Sequence, residues 1–150
     1  MIGLYHKILV PYNNTAQSNS AVQHAYKMAV VSKASMTLFH VVPEVPSDNG
    51  EAGVADSFKR TDSIKENKAK AKLMLDQIRR SFSSPEVKID IAVATGKPSH
   101  EVCKKAKIEG YDVIVMGSRG LGKIPGLLSG SVSSRVSRNA PCPVILIHAD

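Results

Sequence analysis

VIVMGSRGLGKIPGLLSGSVS, residues 113–133, decides how the chain is read. The apolar run Val113, Ile114, Val115, Met116 has the composition of a buried strand. It empties into a segment punctuated by Gly117, Gly120, Gly122, Gly126 and Gly130, which closes on Gly130-Ser131-Val132-Ser133. That order is strand, glycine loop, helix start. Glycines and small hydroxyl residues at a helix N-terminus leave backbone N–H groups open to an anion, and such places cradle phosphate. The stretch therefore points to a phosphorylated ligand.

Working outward, the same alternation of strand and helix recurs. Ile8, Leu9 and Val10 form a continuous apolar run, the mark of a strand buried on both faces, and it stops at the turn and cap residues Pro11-Tyr12-Asn13-Asn14-Thr15. Val22, Ala25, Met28 and Ala29 recur at helical spacing between about Ser18 and Ser32, and Met36, Leu38, Phe39, Val41 and Val42 supply a second strand. The segment from Pro43 to Asp56 holds two prolines and two glycines and few apolar residues, and is expected to be a mobile loop. A long helix follows, with Ile64, Ala71, Leu75, Ile78 and Phe82 on one face and Lys65, Glu66, Lys68, Lys70 and Lys72 on the other. Val87, Ile89, Ile91 and Val93 alternate with Lys88, Asp90 and Ala92, as in a strand near a sheet edge.

Gly96-Lys97-Pro98 opens a further helix, where proline suits the first turn, and that helix runs through Val102, Cys103 and Ala106 to Gly110. After the glycine loop and its helix, Pro141-Cys142-Pro143 leads into a last strand, Val144-Ile145-Leu146-Ile147. Such alternation with right-handed crossovers gives an α/β fold: a doubly wound parallel sheet with helices on both faces. Ligands in these sheets lie at the carboxyl ends of strands where the winding direction switches, here between the first and fourth strands. The last strand is apolar at four successive positions. At a sheet edge it needs a cover, and a second subunit is the simplest one.

Composition narrows the function classes. A chain of 150 residues fits one domain, 1–150. It has no apolar run long enough to span a bilayer and no leader-like N-terminus, so a cytoplasmic protein with no membrane partner is expected. The two cysteines, Cys103 and Cys142, have no metal-ligand spacing and are read as ordinary small buried residues. The formal net charge is +7, but the basic residues are spread and interleaved with acidic ones, and the three Phe and four Tyr do not alternate with a basic cluster. Nucleic-acid binding is disfavoured on that ground, whereas attraction of an anionic nucleotide fits. No two histidines stand at i and i+4; His40 is read as a strand residue near the pocket, and His6, His24, His100 and His148 as incidental.

Two better-known phosphate motifs fail. Gly117-Ser118-Arg119-Gly120-Leu121-Gly122-Lys123 has Walker A spacing as far as its lysine, but Ile124 stands where a hydroxyl residue would hold magnesium. The turn after the first strand, Pro11 to Thr15, holds no glycine, which disfavours a dinucleotide fingerprint and a classical NAD-dependent enzyme. Gly122 and Gly126 serve loop flexibility equally well, and Ser118, Lys123 and Ser129 are positions that water satisfies as readily as a ligand.

What remains is Gly117, two residues, Gly120, nine residues, then Gly130-Ser131. Together with the opening Ile8-Leu9-Val10-Pro11 and the closing Pro141-Cys142-Pro143-Val144, this resembles the universal stress protein family in its ATP-binding branch, from about Lys7 to Ile147. The resemblance implies a Rossmann-like, adenine nucleotide alpha hydrolase-like domain with strand order 3-2-1-4-5. It also implies a homodimer formed through Val144 to Ile147 and a bound ATP, ADP or AMP. On the family's pattern Pro11 and Asn13 line the nucleotide from the first strand and Val41 touches the adenine. Met116, Gly117, Arg119 and Gly120 shape the ribose and phosphate side, and Gly130, Ser131, Val132 and Ser133 hold phosphates.

This chain departs from the pattern where many members carry aspartate: it has Asn13, followed by Asn14-Thr15 in place of Gly-Ser. Asparagine hydrogen-bonds but brings no charge to a metal, so magnesium or manganese dependence is in doubt. Between Gly117 and Ser137 there is no Asp or Glu. Hydrolysis needs a group to orient the attacking water and a means to stabilise charge, so a stress-response or regulatory binding module is expected rather than an enzyme. A slow ATPase of the same fold and a nucleotide-free dimeric interaction protein are the alternatives.

Overall fold

The computed structural model describes residues 3–44, 54–82, 84–118 and 131–148. Strands β1 (Lys7–Pro11), β2 (Ser35–Val42), β3 (Ile89–Thr95), β4 (Val113–Gly117) and β5 (Val144–Ile147) alternate with helices α1 (Ala16–Ser32), α2 (Val54–Arg80), α3 (Pro98–Glu109) and α4 (Ser131–Asn139). The strands form one parallel sheet in the order β3-β2-β1-β4-β5, the order the resemblance implies.

Alternation along each strand divides the core into two layers. Ile8 and Val10 of β1 with Val113 and Val115 of β4 face α1 and α2, where Ala21, Val22, Ala25, Ala29 and Leu75 meet them. Leu9, Phe39, Val41, Ile114 and Met116 face the opposite way, onto Val102 and Ala106 of α3 and Val136 of α4. Because β1 and β4 are interior strands covered on both sides, they read as unbroken apolar runs, and Ile8, Leu9, Val10 and Val113 to Met116 have no exposed surface.

Local chemistry sets the helix ends. Thr15 caps α1 by accepting from the Ser18 backbone N–H, and the Thr15 backbone N–H donates in return to the Ser18 hydroxyl oxygen at 2.9 Å. Pro98 occupies the first turn of α3, and Gly110 closes it in the left-handed region at φ 70°. The cap moves the start of α1 to Ala16, two residues before the expected one.

Two further expectations change. α2 begins at Val54, so the last residues of the expected loop from Pro43 to Asp56 are helical; residues 45–53 lie outside the described residues. Val87 precedes β3 rather than opening it, although its side chain is buried in the layer beneath α2. β3 does lie at a sheet edge, and β5 forms the other edge with Leu146 exposed and its other residues half-buried.

Candidate functional site

The winding direction switches between β1 and β4, which pair through Ile8–Val113 and Leu9–Ile114. In doubly wound sheets a ligand binds in the crevice at this switch, outside the carboxyl ends of the two strands. Val41 near the end of β2, Met116 near the end of β4 and Val132 in the first turn of α4 all belong to the core layer on the α3 and α4 side. Pro11, buried and two residues beyond Leu9, shares that face of β1. Four of the expected site residues thus come from four elements to one side of one edge. Arg119, Gly120 and Gly130 lie outside the described residues, and Ser131 is the first residue of α4.

Asn13 sits half-buried in the turn between β1 and α1. Its carboxamide oxygen accepts from the Thr15 hydroxyl at 2.8 Å, and its backbone N–H donates to the Ser18 hydroxyl at 3.4 Å. The residue that departs from the family's aspartate is therefore tied to the cap of α1. The next residue, Asn14, adopts a left-handed conformation at φ 60°, a region in which asparagine is among the better tolerated side chains.

Gly117 has a packing role alongside any role at a ligand. A Cβ built on it would lie 2.7 Å from the Cβ of Gln17, 3.0 Å from the Gln17 carbonyl carbon and 3.1 Å from the Ser18 nitrogen. Glycine is what lets the N-terminal turn of α1 rest against the end of β4.

His40, one residue before Val41 in β2, faces the α2 side of the sheet, opposite Val41 and Met116. Its Nδ1 is 2.7 Å from the Tyr12 carbonyl oxygen. A carbonyl only accepts, so Nδ1 carries the proton and, in the neutral ring, Nε2 is the acceptor. His40, Asn13, Asn14, Asn67 and Lys70 line a cleft of about 320 Å³ between the ends of β1 and β2 and helix α2.

Ser118 and His148 were not legible as a pair. Ser118 is buried rather than solvated, and its hydroxyl lies 2.7 Å from His148 Nδ1. The strand register is the signal that finds them: Gly117 pairs with Ile147, so the next residue of each chain segment meets the other. Ser133, also buried, donates its hydroxyl to the Ser118 carbonyl at 3.0 Å.

The cysteines are half-buried rather than fully buried, and neither is in a disulfide. Burial pushes both thiols up from their ordinary range, with the Asp112 carboxylate adding to the effect at Cys142. Among the described residues no group of three His, Cys, Asp or Glu is arranged to hold a metal ion, and no helix is long and apolar enough to cross a membrane.

Comparison with known proteins decides the family. The model of the universal stress protein family matches residues 4–148. The chain belongs to the universal stress protein family. Among its relatives, universal stress protein YxiE of Bacillus subtilis is 30% identical over 150 residues, covering 97% of this chain and all of that one. The solved structure of the Methanocaldococcus jannaschii protein MJ0577 superposes with a TM-score of 0.81 at 25% identity, covering 98% of both chains. A universal stress protein family member from Arabidopsis thaliana, solved with AMP bound, gives a TM-score of 0.69 at 24% identity over 97% of this chain and 92% of that one. Another universal stress protein, solved in complex with cAMP, gives 0.65 at 22% identity over 97% and 99%. The last two establish that this universal stress protein shares their fold.

Proposed function

We propose that this universal stress protein, a single domain over residues 1–150, belongs to the ATP-binding branch and acts as a cytoplasmic regulatory module. Adenine nucleotide binds at the β1–β4 crevice and is hydrolysed slowly or not at all. The observation that carries the proposal is the convergence of Pro11, Val41, Met116 and Val132 on one face of the carboxyl edge, where the glycine segment leaves β4 and returns at Ser131. Relatives of the same fold solved with AMP and with cAMP support an adenine nucleotide as the ligand class.

In this reading Pro11, Asn13 and Val41 hold the base and ribose. Met116, Gly117, Arg119 and Gly120 border the ribose and phosphates, and Gly130, Ser131, Val132 and Ser133 form the phosphate cradle. Backbone N–H groups at the head of α4 and its dipole favour the negative charge by about 0.3–1 kcal/mol. The absence of any carboxylate between Gly117 and Ser137 leaves phosphate bound without a group to orient water. Asn13 adds no charge for a metal, so binding proceeds without strict magnesium or manganese dependence. The apolar edge of β5, Val144 to Ile147, pairs with a second copy to give a homodimer.

Denaturing the purified protein and identifying released small molecules by mass spectrometry tests the ligand class. An adenine nucleotide released in proportion to the chain is the expected result. A different co-purified metabolite, displaced by no adenine nucleotide, would overturn it.

A further inference from the structure

The glycine segment leaves the described structure at Ser118 and rejoins it at Ser131, and every polar group of Ser118 is engaged where it leaves. Its backbone N–H donates to the Ile147 carbonyl at 2.9 Å, extending the β4–β5 ladder by one bond. Its carbonyl accepts from the Ser133 hydroxyl at 3.0 Å. Its own hydroxyl lies 2.7 Å from His148 Nδ1. Ser118 thus joins three elements: the strand it ends, the edge strand beside it, and the first turn of α4.

We propose that His148 is a positioning residue of the phosphate cradle, acting through Ser118. The proposal rests on the nucleotide reading of the crevice. Ser133 lies in the same N-terminal turn of α4 whose backbone N–H groups would meet the phosphates, so the placement of that turn against β4 depends on where the Ser118 carbonyl points. Ser118 is a buried residue, and a hydroxyl deprived of its partner there seeks a nearby backbone group instead. His148 removes that choice: an imidazole Nδ1 either accepts from the hydroxyl or, when protonated, donates to it, so the contact persists in both ring states. Nothing in the position of His148, exposed just beyond β5, requires an imidazole for packing.

The test compares His148→Leu, His148→Asn and Ser118→Ala with the native chain. Each is titrated with AMP and ATP, and amide hydrogen exchange is followed at Ser118 and at Val132 to Arg135. Asparagine carries an amide at about the distance of Nδ1 from the backbone and can fill either role. His148→Leu should weaken nucleotide affinity about tenfold and speed exchange at Ser118 and Ser133, with an unchanged far-UV spectrum. His148→Asn should restore both. In a Ser118→Ala background, His148→Leu should add nothing, because the link it breaks is already gone.

Native affinity and native exchange in His148→Leu would overturn the proposal, as would an asparagine variant as impaired as the leucine one. Should the native chain bind no nucleotide, the binding reading fails by itself. The exchange rates in the same variants then still decide whether His148 positions the turn.

Discussion

Gly117 and Gln17 approach so closely that a Cβ on the glycine would stand 2.7 Å from the Cβ of Gln17. The next nearest atoms are the Gln17 carbonyl carbon at 3.0 Å and the Ser18 nitrogen at 3.1 Å, so turning a side chain aside cannot relieve the clash and helix α1 must shift. Gly117→Ala is expected to lower stability by about 1–3 kcal/mol, the usual cost of overpacking a close contact. A urea unfolding curve with a lower midpoint and an unchanged slope is the expected reading.

Thr15 caps α1 and also donates its hydroxyl to the Asn13 carboxamide. Thr15→Ala removes both bonds and should cost about 0.5–2 kcal/mol, whereas Thr15→Ser should retain most of the stability. Thermal unfolding of the two variants side by side separates the hydroxyl from the methyl group. If the turn also borders the ligand, the alanine variant loses nucleotide affinity beyond its loss of stability.

Asn13→Asp tests why this chain departs from the family pattern. The carboxylate can accept from the Thr15 hydroxyl as the carboxamide does, so the fold should be retained. What changes is the charge offered to a divalent cation. ATP affinity of the native chain is expected to be similar with magnesium and with a chelator, and that of Asn13→Asp to rise when magnesium is added. Calorimetric titration under both conditions reads the difference.

Much of the fold was legible because the apolar patterns come from burial that the sequence must encode locally. Ile8-Leu9-Val10 and Val113 to Met116 are continuous since interior strands are covered on both faces, and Pro98 and Gly110 mark the ends of α3 by their own backbone preferences. The start of α2 was not legible: residues 54–61 carry no clear apolar stripe, and glycine and proline upstream made a loop the natural expectation. The ends of β1, β2 and β4 could be read from their apolar runs, whereas the place of Pro11, Val41 and Met116 at a ligand is what the family resemblance implies. The Ser118–His148 pair could not be read, since the contact spans 30 residues of sequence and depends on the register of β4 against β5. That register is fixed by tertiary pairing, not by the residues on either side of Ser118.

Tyr111 donates its hydroxyl to Thr37 at 2.8 Å inside the α3 side of the sheet. Burial raises its pKa above the ordinary tyrosine range, and burial raises that of Tyr12 as well. The folded state then holds these phenol protons more tightly than the unfolded chain, so their contribution is complete below about pH 10 and is lost as pH rises through the folded values. Stability should accordingly fall above about pH 10. Tyr111→Phe should be less stable by about 0.5–1.5 kcal/mol at neutral pH through loss of the hydrogen bond, yet fall less steeply in alkali. Denaturant midpoints measured from neutral to alkaline pH check both parts.

Direct titration of the nucleotide-free chain with ATP, with GTP as the control, tests the central claim. Saturable binding of one ATP per chain in the micromolar range, with much weaker binding of GTP and slow or absent phosphate release, is the predicted result. A folded chain that shows no saturable heat with ATP, ADP, AMP or cAMP up to millimolar concentration would contradict the account.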